Sequence, residues 1–193
     1  MTTYSHARRS VSDFRQKAGF TLIELMVVVA LVAILTMLAT PSFVSMIQSN
    51  RVSAEVNAFT GDLEFARSEA IKQGVPVSVC ASSNGSSCLG ANTWQSGWIV
   101  FSDLDGSGTV TAGDTLLRKR PAWSGGDTFS AAPSINAVTF SRDGFANLPV
   151  ASPVASILLA LRTEPVNAAA TRCVSINRVG HQTVLQGGKG ACA

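Results

Sequence analysis

GFTLIELMVVVALVAILTMLAT, residues 19–40, is the stretch that decides the architecture. A glycine and a phenylalanine open an apolar run that holds a single carboxylate, Glu24. At ~1.5 Å rise per residue, the 21 residues from Phe20 to Thr40 form a helix of ~30 Å, the thickness of a bilayer core. An acid buried in lipid costs about 2.5–3.5 kcal/mol on insertion scales, so Glu24 needs a partner. A helix N-terminus supplies one, because its free amides and its dipole favour an acid in the first turn. An α-amino group at Phe20 would supply a stronger one.

The charge pattern around the run gives it a direction. The chain of 193 residues carries +3 at neutral pH, and all of that excess lies ahead of Phe20, in Arg8, Arg9, Arg15 and Lys17 against Asp13. No further base occurs until Arg51. Flanking bases mark the cytoplasmic side, so the residues after 41 are expected outside the cytoplasm. The basic pI therefore says little about nucleic acid. Beyond Phe20 the charges cancel, but unevenly: residues 20–114 carry −5 and residues 115–193 carry +5. Such a split serves head-to-tail contacts or a polyanion, and it also arises from plain surface scatter.

A secretory signal peptide shares the basic start and the apolar run. It leaves Glu24 unexplained, and Leu38-Ala39-Thr40-Pro41 makes a poor cleavage site.

Gly19-Phe20-Thr21-Leu22-Ile23-Glu24, followed by the apolar run and Pro41, resembles the N-terminus of type IV pilins and type II secretion pseudopilins. The resemblance implies cleavage after Gly19 by a membrane prepilin peptidase and N-methylation of Phe20. It also implies that Glu24 meets the N-terminal amine of a neighbouring subunit during filament assembly. The expected parts are a cleaved leader (1–19), a transmembrane assembly helix (20–40), its amphipathic continuation (41–74) and an extracytoplasmic β-rich domain (75–193). The chain would cross an inner membrane once, with a cytoplasmic N-terminus and a periplasmic domain.

The helix is expected to continue past Pro41, which removes one hydrogen bond. Val52, Val56, Phe59, Leu63, Ala66 and Ala70 recur at helical spacing, with Glu55, Asp62, Glu64, Arg67, Glu69 and Lys72 mostly off that stripe. Gly74 is placed to end the helix. Strands are expected at 75–79, 98–101, 115–118, 137–140, 157–160, 174–176 and 183–185, separated by turns at 83–85, 103–108, 143–144 and 179–180. A helix followed by antiparallel strands predicts an α+β domain with the helix laid across a sheet. Residues 63–80 and 94–118 resemble the GspH/FimT branch of minor pilins.

Four cysteines, Cys80, Cys88, Cys173 and Cys192, follow the apolar run and are expected to oxidise outside the cytoplasm. Three pairings are open. Cys80–Cys88, closing a Ser/Gly-rich loop, and Cys173–Cys192, pinning the C-terminal tail, are favoured. Zinc has no ligand set here, since no C-x-x-C occurs and His6 and His181 stand apart. No nucleophile stands with an evident base, so no enzyme is expected. DLDGSGTVTAGD (103–114) partly fits a calcium loop, with Asp103, Asp105, Ser107, Thr109 and Asp114 at ligand positions. Ser107 replaces an acid and Asp114 is shorter than the usual glutamate, so a tight acidic hairpin is preferred.

Members of the FimT branch that act in transformation carry a G-R-x-R motif near the C-terminus. Gly180-His181-Gln182-Thr183 lacks both arginines. Arg172, Arg178, His181 and Lys189 are the remaining candidates for DNA, with weak and salt-sensitive binding expected. The resemblance implies a non-enzymatic structural subunit that partners other pilins and helps initiate a type IV pilus at its tip. A type II secretion pseudopilin and a DNA receptor for uptake are the alternatives.

Overall fold

The computed structural model describes residues 19–148, 156–188 and 192. The expected leader thus lies almost wholly outside the described residues. Among these residues, one long helix, α1 (Leu22–Gln73), is followed by nine strands and a short 3-10 turn. The chain divides at Pro41 into two units, residues 1–41 and 42–193.

In the first unit Thr21 caps the helix, its hydroxyl accepting the Glu24 amide at 3.2 Å. Thr21 and Glu24 stand in the spacing of a capping box, which the sequence reading did not use. Thr36 donates its hydroxyl to the Ala33 carbonyl, and Thr40 donates to that of Thr36. Both polar side chains are thereby satisfied inside an apolar segment.

The second unit has its own core. All six residues of the stripe on α1, from Val52 to Ala70, are buried. Phe59 sits at its centre, edge-on to Trp94, Trp98 and Phe129 at 4.9–5.3 Å, a favoured aromatic geometry. Gly74, with φ of 70°, ends the helix and donates its amide to the Ala70 carbonyl, as glycine at that position does.

Two antiparallel sheets pack on this helix, where the sequence led us to expect one. The first has the order β3-β2-β1-β5-β6, the second β4-β7-β8-β9. The strands are β1 (Val77–Ala81), β2 (Trp98–Ser102), β3 (Thr115–Arg120), β4 (Thr128–Ala132), β5 (Ala137–Phe140), β6 (Ala146–Asn147), β7 (Ser156–Arg162), β8 (Arg172–Asn177) and β9 (Gln182–Gln186). β4 and β6 were not expected. Neither has a clear apolar alternation: β4 reads TFSAA and β6 has two residues.

β1 and β2 are buried along their whole length. Their inner residues join the helix core, while Cys80, Ile99, Phe101 and Ala137 form a smaller cluster with Cys88 on the opposite face. Burial on both faces explains why their patterns run on instead of alternating. β7, which alternates buried and partly exposed residues, has the ordinary one-sided pattern.

Candidate assembly surface

Asp62 shows how the second unit holds its helix. Although the sequence placed it off the apolar stripe, it is fully buried. The Trp98 indole donates to it at 3.0 Å, Arg120 donates twice (2.7 and 3.3 Å) and Arg118 once at 3.1 Å. Arg118 also lies 3.5 Å over the Phe65 ring. Burial acts to raise the Asp62 pKa, but the hydrogen bonds from Arg120, Trp98 and Arg118 outweigh it and hold the carboxyl below its usual range. The same pairing raises the Arg120 pKa. Arg51 makes a bidentate pair with Asp127 at 2.6 and 2.7 Å, and Asp127 also accepts the Glu164 amide.

Arg67 donates to the carbonyls of Gly144, Val179 and Gly180 at 3.0–3.4 Å. These belong to two turns, one in each sheet, and the Ala146 amide reaches the Arg178 carbonyl between them. A Cβ on Gly180 would come within 2.5 Å of the Gly144 carbonyl, and its φ is 76°. Glycine is thus required there by both space and backbone.

Glu24 contrasts with these acids. It stands in the first turn of α1, and among the described residues its carboxylate has no hydrogen-bond or ion-pair partner. The apolar side chains from Phe20 to Leu38 around it are exposed nearly without interruption. This helix is long and apolar enough to cross a membrane. An apolar surface of this extent marks a site of contact with lipid or protein. Gly19 and Phe20 precede the helix and are exposed. A Cβ on Gly19 would meet no atom within 4 Å, so nothing within the described chain demands glycine there.

Cys80 is bonded to Cys88 and Cys173 to Cys192, with Cα separations of 5.6 and 5.7 Å. The first staples the 82–88 loop onto the outer face of β1, and the second brings the tail onto β8.

In the acidic loop, Asp103, Asp105 and Asp114 converge with carboxylate oxygens within 4.8 Å of one another. The loop's own donors already serve them. Asp103 accepts from the Ser107 and Gly108 amides and the Ser78 hydroxyl; Asp105 accepts from the Ser107 amide; Asp114 accepts from the Leu104 and Thr111 amides. The Ser107 hydroxyl donates to the Thr109 carbonyl. These bonds hold the three carboxylates close together at the head of the loop.

Among the described residues, the candidates for DNA do not gather. Arg172 opens β8 and folds back onto the Ala169 and Thr171 carbonyls. Arg178 and His181 flank the turn at the other end of that strand, roughly 17 Å away at strand rise. Lys189 lies outside the described residues. The denser basic group, Arg118-Lys119-Arg120 on β3, escaped the sequence reading, and two of its three members are engaged by Asp62.

The model of the family described as type II transport protein GspH matches residues 55–180, and that of the prokaryotic N-terminal methylation motif matches residues 14–40. Among solved structures, the type IV minor pilin FimU of Pseudomonas aeruginosa (strain PAO1) is similar in two crystal forms. In space group P21 it is 21% identical, with 78% of this chain and 99% of that one covered and a TM-score of 0.55. In space group P65 the values are 22%, 74%, 98% and 0.51. No curated protein matches. With the methylation motif at its head and the GspH domain across most of its length, the chain belongs to the type IV pilin-like GspH/FimT family.

Proposed function

We infer that this chain is a minor pilin of a type IV pilus that helps initiate assembly at or near the filament tip. The observation that carries the reading is Glu24, an acid without a partner among the described residues, set in the first turn of an exposed apolar helix. Such a helix is at home in lipid, and its acid gains a partner when the N-terminal amine of a neighbouring subunit comes beside it. Prepilin peptidase cleaves after Gly19 and Phe20 is methylated, which explains a glycine whose own surroundings place no demand on it. The chain then waits in the inner membrane with its N-terminus cytoplasmic and residues 42–193 periplasmic, where the two disulfides form.

The test is mass spectrometry of sheared pili. The mature chain should begin at methylated Phe20 and occur in the pilus fraction at low copy number. Its confinement to a secretion apparatus would favour the second reading, a type II minor pseudopilin, which the description of the matching family supports. A role in DNA uptake has less support, because Arg172 stands apart from Arg178 and His181 and the paired arginines are missing. Any DNA binding is phosphate-driven and falls steeply with salt.

A further inference from the structure

Large exposed apolar side chains begin at Phe20, stop at Ile47 and resume on α1 only at Ile71. At ~1.5 Å per residue, a helix over residues 20–47 is ~42 Å long. The hydrocarbon core of a bilayer takes ~30 Å of that length, and core plus headgroup layers take ~40–45 Å. Phe43, Val44, Met46 and Ile47 therefore lie beyond the length that a core requires, within the depth of one headgroup layer. Ser42, Ser45 and Gln48 are interspersed with them, a mixture that suits a layer part apolar and part wet.

A second element of the same unit stands beside these residues. The loop between β7 and β8 reads Pro165-Val166-Asn167-Ala168-Ala169-Ala170-Thr171, without a charge. Its Asn167 side-chain amide donates to Gln48 Oε1 at 3.0 Å and to the Ser45 hydroxyl at 3.5 Å. The Thr163 hydroxyl donates to the Pro165 carbonyl and accepts the Asn167 amide, so the turn over Val166 is closed from both sides. Held in this way, Val166 is 72% exposed, and Pro165, Ala168 and Ala169 are exposed beside it. Apolar surface gathered and fixed in one place marks a contact.

We propose that residues 42–47 and the 165–169 loop form a foot that rests in the periplasmic headgroup layer of the bilayer that α1 crosses. The proposal rests on the membrane reading given under the proposed function. The bilayer is the occupant because the exposed apolar surface continues along the chain from the spanning segment and stops at the thickness of one bilayer. The foot carries no charge, so the contact is made through apolar area and does not require anionic lipid. Its role is to hold residues 42–193 against the membrane before assembly.

The test is the full chain reconstituted alone in phosphatidylcholine liposomes. All four native cysteines are paired, so a single introduced cysteine can carry an environment-sensitive fluorophore. Three positions are compared: Val166→Cys in the foot, Ala30→Cys in the apolar run and Leu104→Cys, an exposed apolar residue elsewhere in the second unit. Leu104 follows Asp103, whose amide bonds the Pro76 carbonyl beyond the end of α1, roughly 40 Å along the helix from Gln48. Lipids with a nitroxide on the headgroup should quench Val166 at least about threefold more than Leu104, and a nitroxide deep in the acyl chain should quench Ala30. Val166→Asp should lower the headgroup quenching of a probe at Ala169 by about half or more, with the thermal melt unchanged. Quenching at Val166 no stronger than at Leu104, with Ala30 quenched, would overturn the proposal and leave the membrane reading standing, as would a Val166→Asp variant that changes nothing. An unquenched Ala30 would overturn that reading and the proposal with it. Shielding of Val166 only after other pilus subunits are added would also overturn it and assign the surface to a protein neighbour.

Discussion

Glu24 and Asp62 are both acids on α1, and the chain treats them in opposite ways. Asp62 is sealed between helix and sheet and receives four hydrogen bonds from three side chains of the same molecule. Glu24 stands among exposed apolar side chains and receives none at its carboxylate from the described residues. A carboxylate costs free energy in either apolar setting unless it is paired. Where the chain supplies the pair, the acid serves the fold. Where it does not, the proposed function assigns the acid to a contact with a neighbouring subunit.

The strongest way to break this contrast is to strip Asp62 of its partners. Arg118→Met with Arg120→Met leaves a buried, uncompensated carboxylate and should cost about 3–5 kcal/mol. Urea unfolding of residues 42–193 measures it. A loss below about 1 kcal/mol would mean that the network decorates the surface rather than fastening the helix.

Removing the Cys80–Cys88 bond comes next. Cys80→Ser with Cys88→Ser should cost about 2–3 kcal/mol through the freed loop. The small outer cluster of Cys80, Ile99, Phe101 and Ala137 should loosen, seen as faster hydrogen exchange in β1 and β2. The helix-facing core should stay protected.

The pH dependence sharpens the comparison with a third acid. Glu55 is half-buried, its Oε2 lacks a partner, and its pKa rises to about 7, through burial first and then the neighbouring Asp127, with Arg51 opposing. The two acids act in opposite directions. Asp62, with its folded pKa lowered, contributes fully above its ordinary value of 3.8 and loses that contribution as pH falls further. Glu55 binds its proton more tightly when folded, so it lowers stability as pH rises from 4.5 towards 7. Stability from these groups should peak near pH 4, between the ordinary value of Asp62 and that of Glu55. Glu55→Gln should raise Tm by roughly 2–4 °C at pH 8, allowing for solvent screening, and change it little at pH 4. An equal shift at both pH values would detach the effect from ionisation.

The smallest effect belongs to the acidic loop. Its carboxylates are occupied by the loop's own amides, so millimolar calcium or its removal by chelator should move Tm by less than about 1 °C. A larger rise would show that an ion competes with those amides and would revive the calcium reading of residues 103–114.

How much of this was readable in advance follows from where each signal resides. The helical stripe from Val52 to Ala70, the end at Gly74 and seven of the strands are written in local periodicity and turn residues. β4 was not, because its edge is satisfied by Asn92 and Gln95 from a distant segment. The division into two sheets was hidden for a similar reason: Arg67 and the contact between Ala146 and Arg178 join turns far apart in the chain. Asp62 was placed off the apolar stripe because its partners lie 36 to 58 residues away. The segment around Glu24 was legible by itself, since composition and spacing there have no competing tertiary context.

The central claim is that Glu24 acts between subunits and not within one. The measurement is the distribution of Glu24→Ala between membrane and sheared filaments, in cells that lack the wild-type chain. Membrane retention should persist or improve, because the substitution removes a charge from lipid. Incorporation into filaments should fall at least tenfold. Incorporation equal to the wild type would contradict the account.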